Sequence, residues 1–287
     1  MNLLHLEYFY TVAKEGSFTK ASKVLRIQQP AISRMVKQLE ESFGFALFEK
    51  IGRGVRLTPQ GIDIFEQSKL IFAQVKDLEQ TVGELEGVPK GPLSFAAAEP
   101  IASHFVPEVL EKLIPKFPKL YPLLYSGPAS MLLDRIANGD LEFGLFFHLP
   151  KMPLTLKVTT LRKVRFYLVV RKDLRKKVSI LESFIGSREI DDTATRTFPM
   201  LEKLKKNYPQ ASIKISSNNL TAHRSLVLSG LGVAILPDFL VSKDLREGTL
   251  VDILQNENFE FNLKLVQRVT SVLSLNATSF LNCCGRE

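Results

Sequence analysis

Apolar positions in the first part of the chain recur at helical spacing between short polar breaks. Leu3, Leu6, Phe9, Tyr10 and Ala13 share one helical face, and Gly16 ends that pattern. Ser17 stands three residues before Lys20, just ahead of Ala21, Val24 and Leu25, which predicts an N-cap and a second helix. A third helix is predicted to start near Gln29. Pro30 suits its first turn, where a missing backbone donor costs nothing, and Ile32, Met35, Val36, Leu39 and Phe43 supply its buried face up to Gly44. Leu47, Phe48 and then Lys50 to Leu57, with Gly52 and Gly54, read as a short hairpin.

From Thr58 to about Glu86 the period changes. Ile64, Ser68, Ile71, Val75, Leu78, Val82 and Leu85 alternate steps of four and three, a coiled-coil seam with one polar member, Ser68. The competing reading is a long helix packed on its own domain. On the seam reading Ser68→Leu tightens the pairing. The run Gly87-Val88-Pro89-Lys90-Gly91-Pro92 then breaks the helix as a domain boundary does.

Beyond residue 92 strands and helices alternate. Strands are predicted at Leu93 to Ala98, Leu120 to Tyr125 and Phe143 to Phe147, with helices at Val106 to Phe117 and Ala129 to Asn138. A second unit starts near Leu161, with strands at Phe166 to Val170, Ser212 to Ser216 and Val233 to Leu236, and helices at Pro199 to Asn207 and Leu220 to Ser229. Such alternation predicts parallel sheets covered by helices, an α/β class in two lobes. The division this implies is a head at 1–57, a linker helix at 58–90, and a two-lobed part at 91–287. Its first lobe takes 91–160 plus 264–287 and its second 161–263.

Composition narrows the classes. A chain of 287 residues with 45% hydrophobic content can bury more than one core, and no window approaches the roughly 18 uninterrupted apolar residues of a membrane helix. His5 and Glu7 interrupt the apolar start, so no secretory signal is expected and the cytoplasm is the expected location. Cys283 and Cys284 are adjacent, which suits neither a disulfide framework nor a four-ligand metal site; no metal or cofactor is expected. The net charge of +8 points to an anionic partner, and half of it sits in residues 1–57, where nine cations oppose five anions.

That placement makes the third helix the strongest candidate for double-stranded DNA. Gln29, Ser33, Arg34 and Lys37 lie at successive turns opposite the apolar face, and Gln and Arg pair bidentately with adenine and guanine. Ser17, Thr19 and Gln28 flank the same surface, and Lys50, Arg53 and Arg56 on the hairpin suit phosphates or the minor groove.

At these residues a specific resemblance emerges. Gln28-Gln29-Pro30-Ala31-Ile32-Ser33-Arg34, then Leu39-Glu40, Gly44, Leu47-Phe48 and Thr58-Pro59-Gln60-Gly61, resemble the N-terminal signature of LysR-type transcriptional regulators. Phe9, Val12, Gly16-Ser17-Phe18, Ala21 and Leu25 extend it upstream. Two departures stand out: Gln28 where the family often has Ser, and Lys50 where Arg is usual. Neither removes a donor or a positive charge, so DNA binding is expected to survive with a shifted sequence preference. Asn138-Gly139-Asp140-Leu141 and Gly230-Leu231-Gly232-Val233-Ala234-Ile235-Leu236-Pro237 resemble the family's effector domain, which has the periplasmic-binding-protein architecture. The resemblance implies a winged helix-turn-helix in which Gln29, Pro30, Ser33 and Arg34 contact DNA with Arg53 from the wing. It also implies homodimers through Ile64, Ile71, Val75, Leu78, Val82 and Leu85, joined into a homotetramer.

An effector should bind between the lobes, where strand ends meet helix N-termini. The candidates are Ala98, Glu99 and Ser103 after the first strand, Ser126 and Gly127 after the second, and Thr195, Thr197, Asn218, Asn219 and Thr221 from the other lobe. Glu99 is unusual. Unless Arg196 or Arg224 compensates it, its carboxylate repels an anion and selects an amine; the competing reading is an exposed Glu that caps its own helix.

The remaining features read as structural. His104, His148 and His223 lack metal-ligand spacing, which points to core or cleft hydrogen bonds. Arg162, Lys163, Arg165, Arg171, Lys172, Arg175, Lys176 and Lys177 read as a solvated face, with bent DNA or RNA polymerase as the competing partner. Gly230 and Gly232 do not open a dinucleotide loop, because Ile235 takes the third glycine position. An enzyme would need G-x-S-x-G, H-E-x-x-H or a P-loop, none of which is present, and a solute-binding transport protein would leave the first 86 residues unexplained.

Overall fold

The structure is a computed structural model that describes residues 2–52, 54–84, 87–177, 182–187, 205, 209–253 and 259–285, with the backbone alone at 76–77 and 79–84. The chain divides into two compact units, Met1–Gly83 and Glu84–Glu287.

The first unit opens with α1 (Leu3–Glu15), α2 (Phe18–Leu25) and α3 (Gln29–Phe43). Local chemistry fixes their ends. Asn2 caps α1 by accepting from Leu4 N at 2.9 Å, and Ser17 caps α2 by accepting from Lys20 N. Gly44, at φ 80°, closes α3 in the left-handed conformation that a side chain would resist. Leu6, Phe9, Val12, Ala21, Ile32, Val36, Leu39 and Leu47 form the core. The hairpin β1 (Phe48–Ile51) and β2 (Gly54–Leu57) follows as the wing, with Phe48 paired to Leu57. Phe48 roofs the core through ring contacts with Phe9 and Phe18 at 5.3 and 5.6 Å.

Helix α4 (Pro59–Glu84) starts within this unit and packs onto it. Phe65 and Phe72 meet the Tyr10 ring at 5.4 and 5.1 Å, and Ile64 and Ile71 pack on the same core. Ser68, only 1% exposed, donates its hydroxyl proton to the Ile64 carbonyl at 2.7 Å. The first half of the expected seam is therefore engaged within the head itself. A larger side chain at 68 would overfill that face, so the expectation that Ser68→Leu tightens a pairing is corrected. Further along, Val75 is half-buried and Leu78 is 64% exposed, Val82 is described by its backbone alone, and Leu85 lies outside the described residues.

The second unit is built on one seven-stranded sheet in which Leu250–Asp252, Leu156–Arg171, Phe259–Arg268, Phe143–Phe146, Gly91–Ala97 and Leu120–Tyr125 lie side by side in that order and Ala234–Pro237 pairs with Leu156–Arg171. Its first lobe holds β3 (Gly91–Ala97), β4 (Leu120–Tyr125) and β5 (Phe143–Phe146), parallel to one another, with α5 (Val106–Leu113) and α6 (Ala129–Ala137). Phe95, Phe143 and Phe280 form its aromatic centre, with ring centroids 4.7–5.7 Å apart. The second lobe holds β7 (Ser183–Gly186), β8 (Ser212–Ser216), α7 (Leu220–Leu228), β9 (Ala234–Pro237), α8 (Asp238–Glu247) and β10 (Leu250–Asp252).

Two long strands join the lobes. β6 (Leu156–Arg171) carries the chain out and β11 (Phe259–Arg268) brings it back, before α9 (Leu275–Cys283) docks on α5. Outward and return strands must run in opposite directions, so the expectation of parallel sheets holds for β3, β4, β5 and for β7 with β8. β6 is antiparallel to β9, β10 and β11, and β11 is antiparallel to β5. The predicted helix Pro199 to Asn207 falls, apart from Lys205, outside the described residues.

Candidate functional site

The head presents one coherent polar surface. Ile32, Val36 and Leu39 are buried at 0–1% exposure, and the opposite side of α3 leaves Gln29, Pro30, Ser33, Arg34 and Lys37 exposed. Gln28, at the N-cap, is exposed and makes no side-chain capping bond, so its amide stays available to a partner. Thr19 is exposed and Ser17 half-buried, its hydroxyl oxygen committed to capping α2. Arg34 and Lys37 keep long cationic side chains in water, with Lys37 4 residues from Glu41 and 3.9 Å from its carboxylate. Such an exposed pair is weak and does not lock either side chain.

The wing is tied to α3 by a residue whose role the sequence pattern alone did not reveal. Glu40, on α3, accepts from the backbone N–H groups of Leu47 and Phe48 at 2.7 and 3.1 Å. One carboxylate thus fixes where the hairpin leaves α3. The signal that could have found it is positional: Glu40 sits in the last turn before Gly44, where a carboxylate can reach the N–H groups of the segment that follows. On the wing Lys50 is exposed, whereas Arg56 is held by Glu49, with Nε 2.7 Å and Nη2 2.6 Å from Oε1. Arg53 lies outside the described residues.

In the second unit the loop after β3 faces the start of α7. The Thr221 hydroxyl donates to Glu99 Oε1, a hydrogen bond between the lobes, while Glu99 Oε2 is buried without a hydrogen-bond partner among the described residues. Glu99 therefore does not cap its own helix: the turn Ile101–Phe105 that follows has Pro100 at its N-cap and no side-chain capping bond. Ala98 anchors the loop through its N–H to the Leu145 carbonyl at 3.0 Å. Asn219 caps α7 by accepting from Ala222 N at 2.8 Å, and its own N–H donates to Ser217 Oγ at 3.1 Å. Ser103, Ser126, Gly127 and Asn218 are exposed, while Thr195, Thr197 and Arg196 lie outside the described residues. A second bridge is apolar, with Phe239 of α8 lying 5.7 Å from the Phe105 ring and 6.1 Å from the Phe147 ring.

Arg224 does not compensate Glu99. Its guanidinium forks onto Asp244, with Nε–Oδ2 at 2.6 Å and Nη2–Oδ1 at 2.7 Å, and that pair holds its pKa above the ordinary arginine value. His223, one turn into α7, has Nε2 2.7 Å from the Ser217 carbonyl; burial pushes its pKa down against that bond. His148 is likewise lowered, by burial first and then by Lys264. Among the described residues no group of three or more His, Cys, Asp or Glu could hold a metal ion, and no helix is long and apolar enough to cross a membrane.

The basic cluster of the second lobe is partly neutralised. Arg171 pairs with Asp173 at 2.7 Å, and Lys163 lies 3.9 Å from Glu260.

Comparison with known proteins gives this geometry its setting. The family profile described as "LysR substrate binding domain" matches residues 86–287, and the profile "Bacterial regulatory helix-turn-helix protein, lysR family" matches residues 3–62. The HTH-type transcriptional activator CmpR of a Synechocystis strain is 30% identical over 300 residues, covering 98% of this chain and 93% of that protein. Full-length LysG of Corynebacterium glutamicum, solved with its effector Arg bound, superposes with a TM-score of 0.61 at 18% identity, over 99% of this chain and 96% of that one. Full-length CbnR, solved with its target DNA, gives a TM-score of 0.54 at 19% identity, over 99% and 98%. At such identities the two structures speak to the fold. With both profiles and a full-length relative in agreement, the chain belongs to the LysR family of transcriptional regulators, which pair a helix-turn-helix DNA-binding domain with a two-lobed α/β effector-binding domain.

Proposed function

We propose that α3 is the recognition helix of this regulator and enters the major groove, with Gln29, Ser33 and Arg34 reading base edges. The carrying observation is that these side chains are all exposed opposite a fully buried face. Ser17, Thr19, Gln28, Pro30 and Lys37 would position the helix, and Lys50, Arg53 and Arg56 would meet the backbone or minor groove. The neighbour CbnR was solved on its target DNA, which supports a duplex as partner.

A small molecule bound between the lobes modulates that binding. Ala98, Glu99, Ser103, Ser126, Gly127, Asn218, Asn219 and Thr221, with Thr195 and Thr197, remain its candidate contacts, and LysG with Arg bound supports sensing as the role of this unit. The proposed organisation is a head at 1–57, a linker at 58–90 and a sensor at 91–287. Homodimers form through α4, using Val75, Leu78, Val82 and Leu85, with Ile64 and Ile71 shared with the head's own core. Pairs of dimers join into a tetramer, and the basic face of the second lobe is a candidate contact for RNA polymerase. The protein acts in the cytoplasm and catalyses no reaction.

Effector binding shifts the population between two lobe arrangements, and so the spacing of the heads; only differential affinity for the two can drive it. Bending an operator costs about 1–6 kcal/mol, within reach of such a shift. A gel-shift titration of salt tests the DNA assignment. Affinity should fall steeply with salt as counterions are released, and a flat dependence would remove it.

A further inference from the structure

The loop after β3 and the first turn of α7 leave an imbalance of acceptors between the lobes. Resting on the reading of this unit as a sensor, we propose that Glu99 recognises a positively charged group, an ammonium or guanidinium, on the molecule that the chain senses.

The Glu99 carboxylate is acceptor-only, and it uses one oxygen on the Thr221 hydroxyl while Oε2 is buried with no donor among the described residues. An oxygen of an anionic group cut off from water is unfavourable until a donor, best a charged one, reaches it. Thr221 has only one hydroxyl proton, and that proton is spent on Glu99, so Thr221 can offer a ligand nothing but lone pairs. The two side chains that meet here, Glu99 and Thr221, therefore offer a ligand only acceptors, and the group that complements them is a donor.

The cation on α7 closest in sequence to Thr221 does not supply the missing donor. Arg224 spends its fork on Asp244. A carboxylate ligand entering beside Glu99 would meet like charge, whereas an amine would complete the unpaired oxygen.

The placement also couples recognition to movement. Glu99 belongs to the first lobe and Thr221 to the second, and Oε2 is sealed while the two are bonded. A cation must reach Oε2 through separation of the lobes, and once there it satisfies the closed arrangement better than the empty one. Differential affinity of that kind is what a population shift requires.

The test is a thermal-shift and operator gel-shift panel on the full chain. The probes are L-arginine, agmatine, 1,4-diaminobutane and tyramine, set against glutarate, benzoate and 1,4-butanediol. At least one amine should raise the melting temperature saturably by several degrees. Glu99→Gln, which keeps the shape and an acceptor for Thr221, should weaken that response at least tenfold; Glu99→Asp, which keeps the charge on a shorter arm, should retain part of it. A cooperative melt of each variant establishes that it is folded. Stabilisation by carboxylates alone, or an amine response undiminished in Glu99→Gln, overturns the cation assignment and leaves the sensing role standing. Melting and operator binding that ignore every compound in the panel overturn both.

Discussion

Gly61 presses its Cα against the carbonyl of Leu47, so that a side-chain methyl there would overlap the Leu47 oxygen. Around this contact the first turn of α4 is knotted to the entry of the wing. Thr58 N donates to the same Leu47 carbonyl at 3.0 Å, the Thr58 hydroxyl donates to Ala46 O at 2.8 Å, and Gly61 N donates to Thr58 Oγ1 at 2.9 Å. Gly61→Ala must push helix and wing apart, and overpacking of this kind costs about 1–3 kcal/mol. The thermal transition of the head should fall by several degrees and operator affinity should weaken with it; an unchanged melt would show that the wing yields freely.

Arg34→Ala removes an exposed guanidinium from α3 without disturbing the buried face beneath it. A base-reading Arg contributes about 1–3 kcal/mol of discrimination, so affinity for the specific site should drop roughly 5- to 150-fold. Far-UV circular dichroism and melting should stay as in the parent chain. Full operator affinity in a folded variant would take Arg34 off the reading surface.

The Arg224–Asp244 pair links α7 to α8, and the Asp244 side chain is only 7% exposed. Arg224→Ala strands that carboxylate, which should cost about 2–4 kcal/mol given that Arg224 itself is partly solvated. Arg224→Lys should restore less than half, because an ammonium cannot repeat the two-pronged geometry. Chemical denaturation of the three proteins compares the costs, and equal stability of Arg224→Ala and the parent would show that water satisfies Asp244.

His223 makes the second unit acid-sensitive. Its folded-state pKa lies below the ordinary value of 6.5, because burial disfavours the charged ring more than the Ser217 carbonyl supports it. The unfolded chain therefore takes up the proton first. Stability is complete above pH 6.5, declines as pH falls from there toward the folded-state pKa, and is flat below it. His148 adds to the decline in the same direction. Melting temperatures between pH 7.5 and 5.5 should show the slope, and His223→Gln should flatten it; an identical slope in the variant would assign the sensitivity elsewhere.

Much of the head was legible in the chain. The spacing of Ile32, Val36 and Leu39 determined which side of α3 is buried, and hence that Gln29, Ser33 and Arg34 face outward. Ser17 and Gly44 announced helix ends by chemistry that acts over one turn. In the second unit, β3, β4, β5, β8, β9 and α5 to α7 could be placed from runs of apolar residues between breaks. Strand β11 was missed although Phe259, Phe261, Leu263 and Leu265 alternate with Glu260, Asn262 and Lys264 in a clear period of two.

What the sequence determined by itself is local: period, caps and turn residues depend on neighbours within about four positions, and these specify elements and their buried faces. Tertiary structure alone decided the rest. That Ile64 and Ile71 pack against the core of the head, which acid Arg224 takes, and that Glu99 reaches Thr221 across 122 positions are matters of long-range packing. No periodicity encodes them, because such contacts depend on how whole strands and helices stack, and the residues involved look equally polar or apolar before that stacking is known.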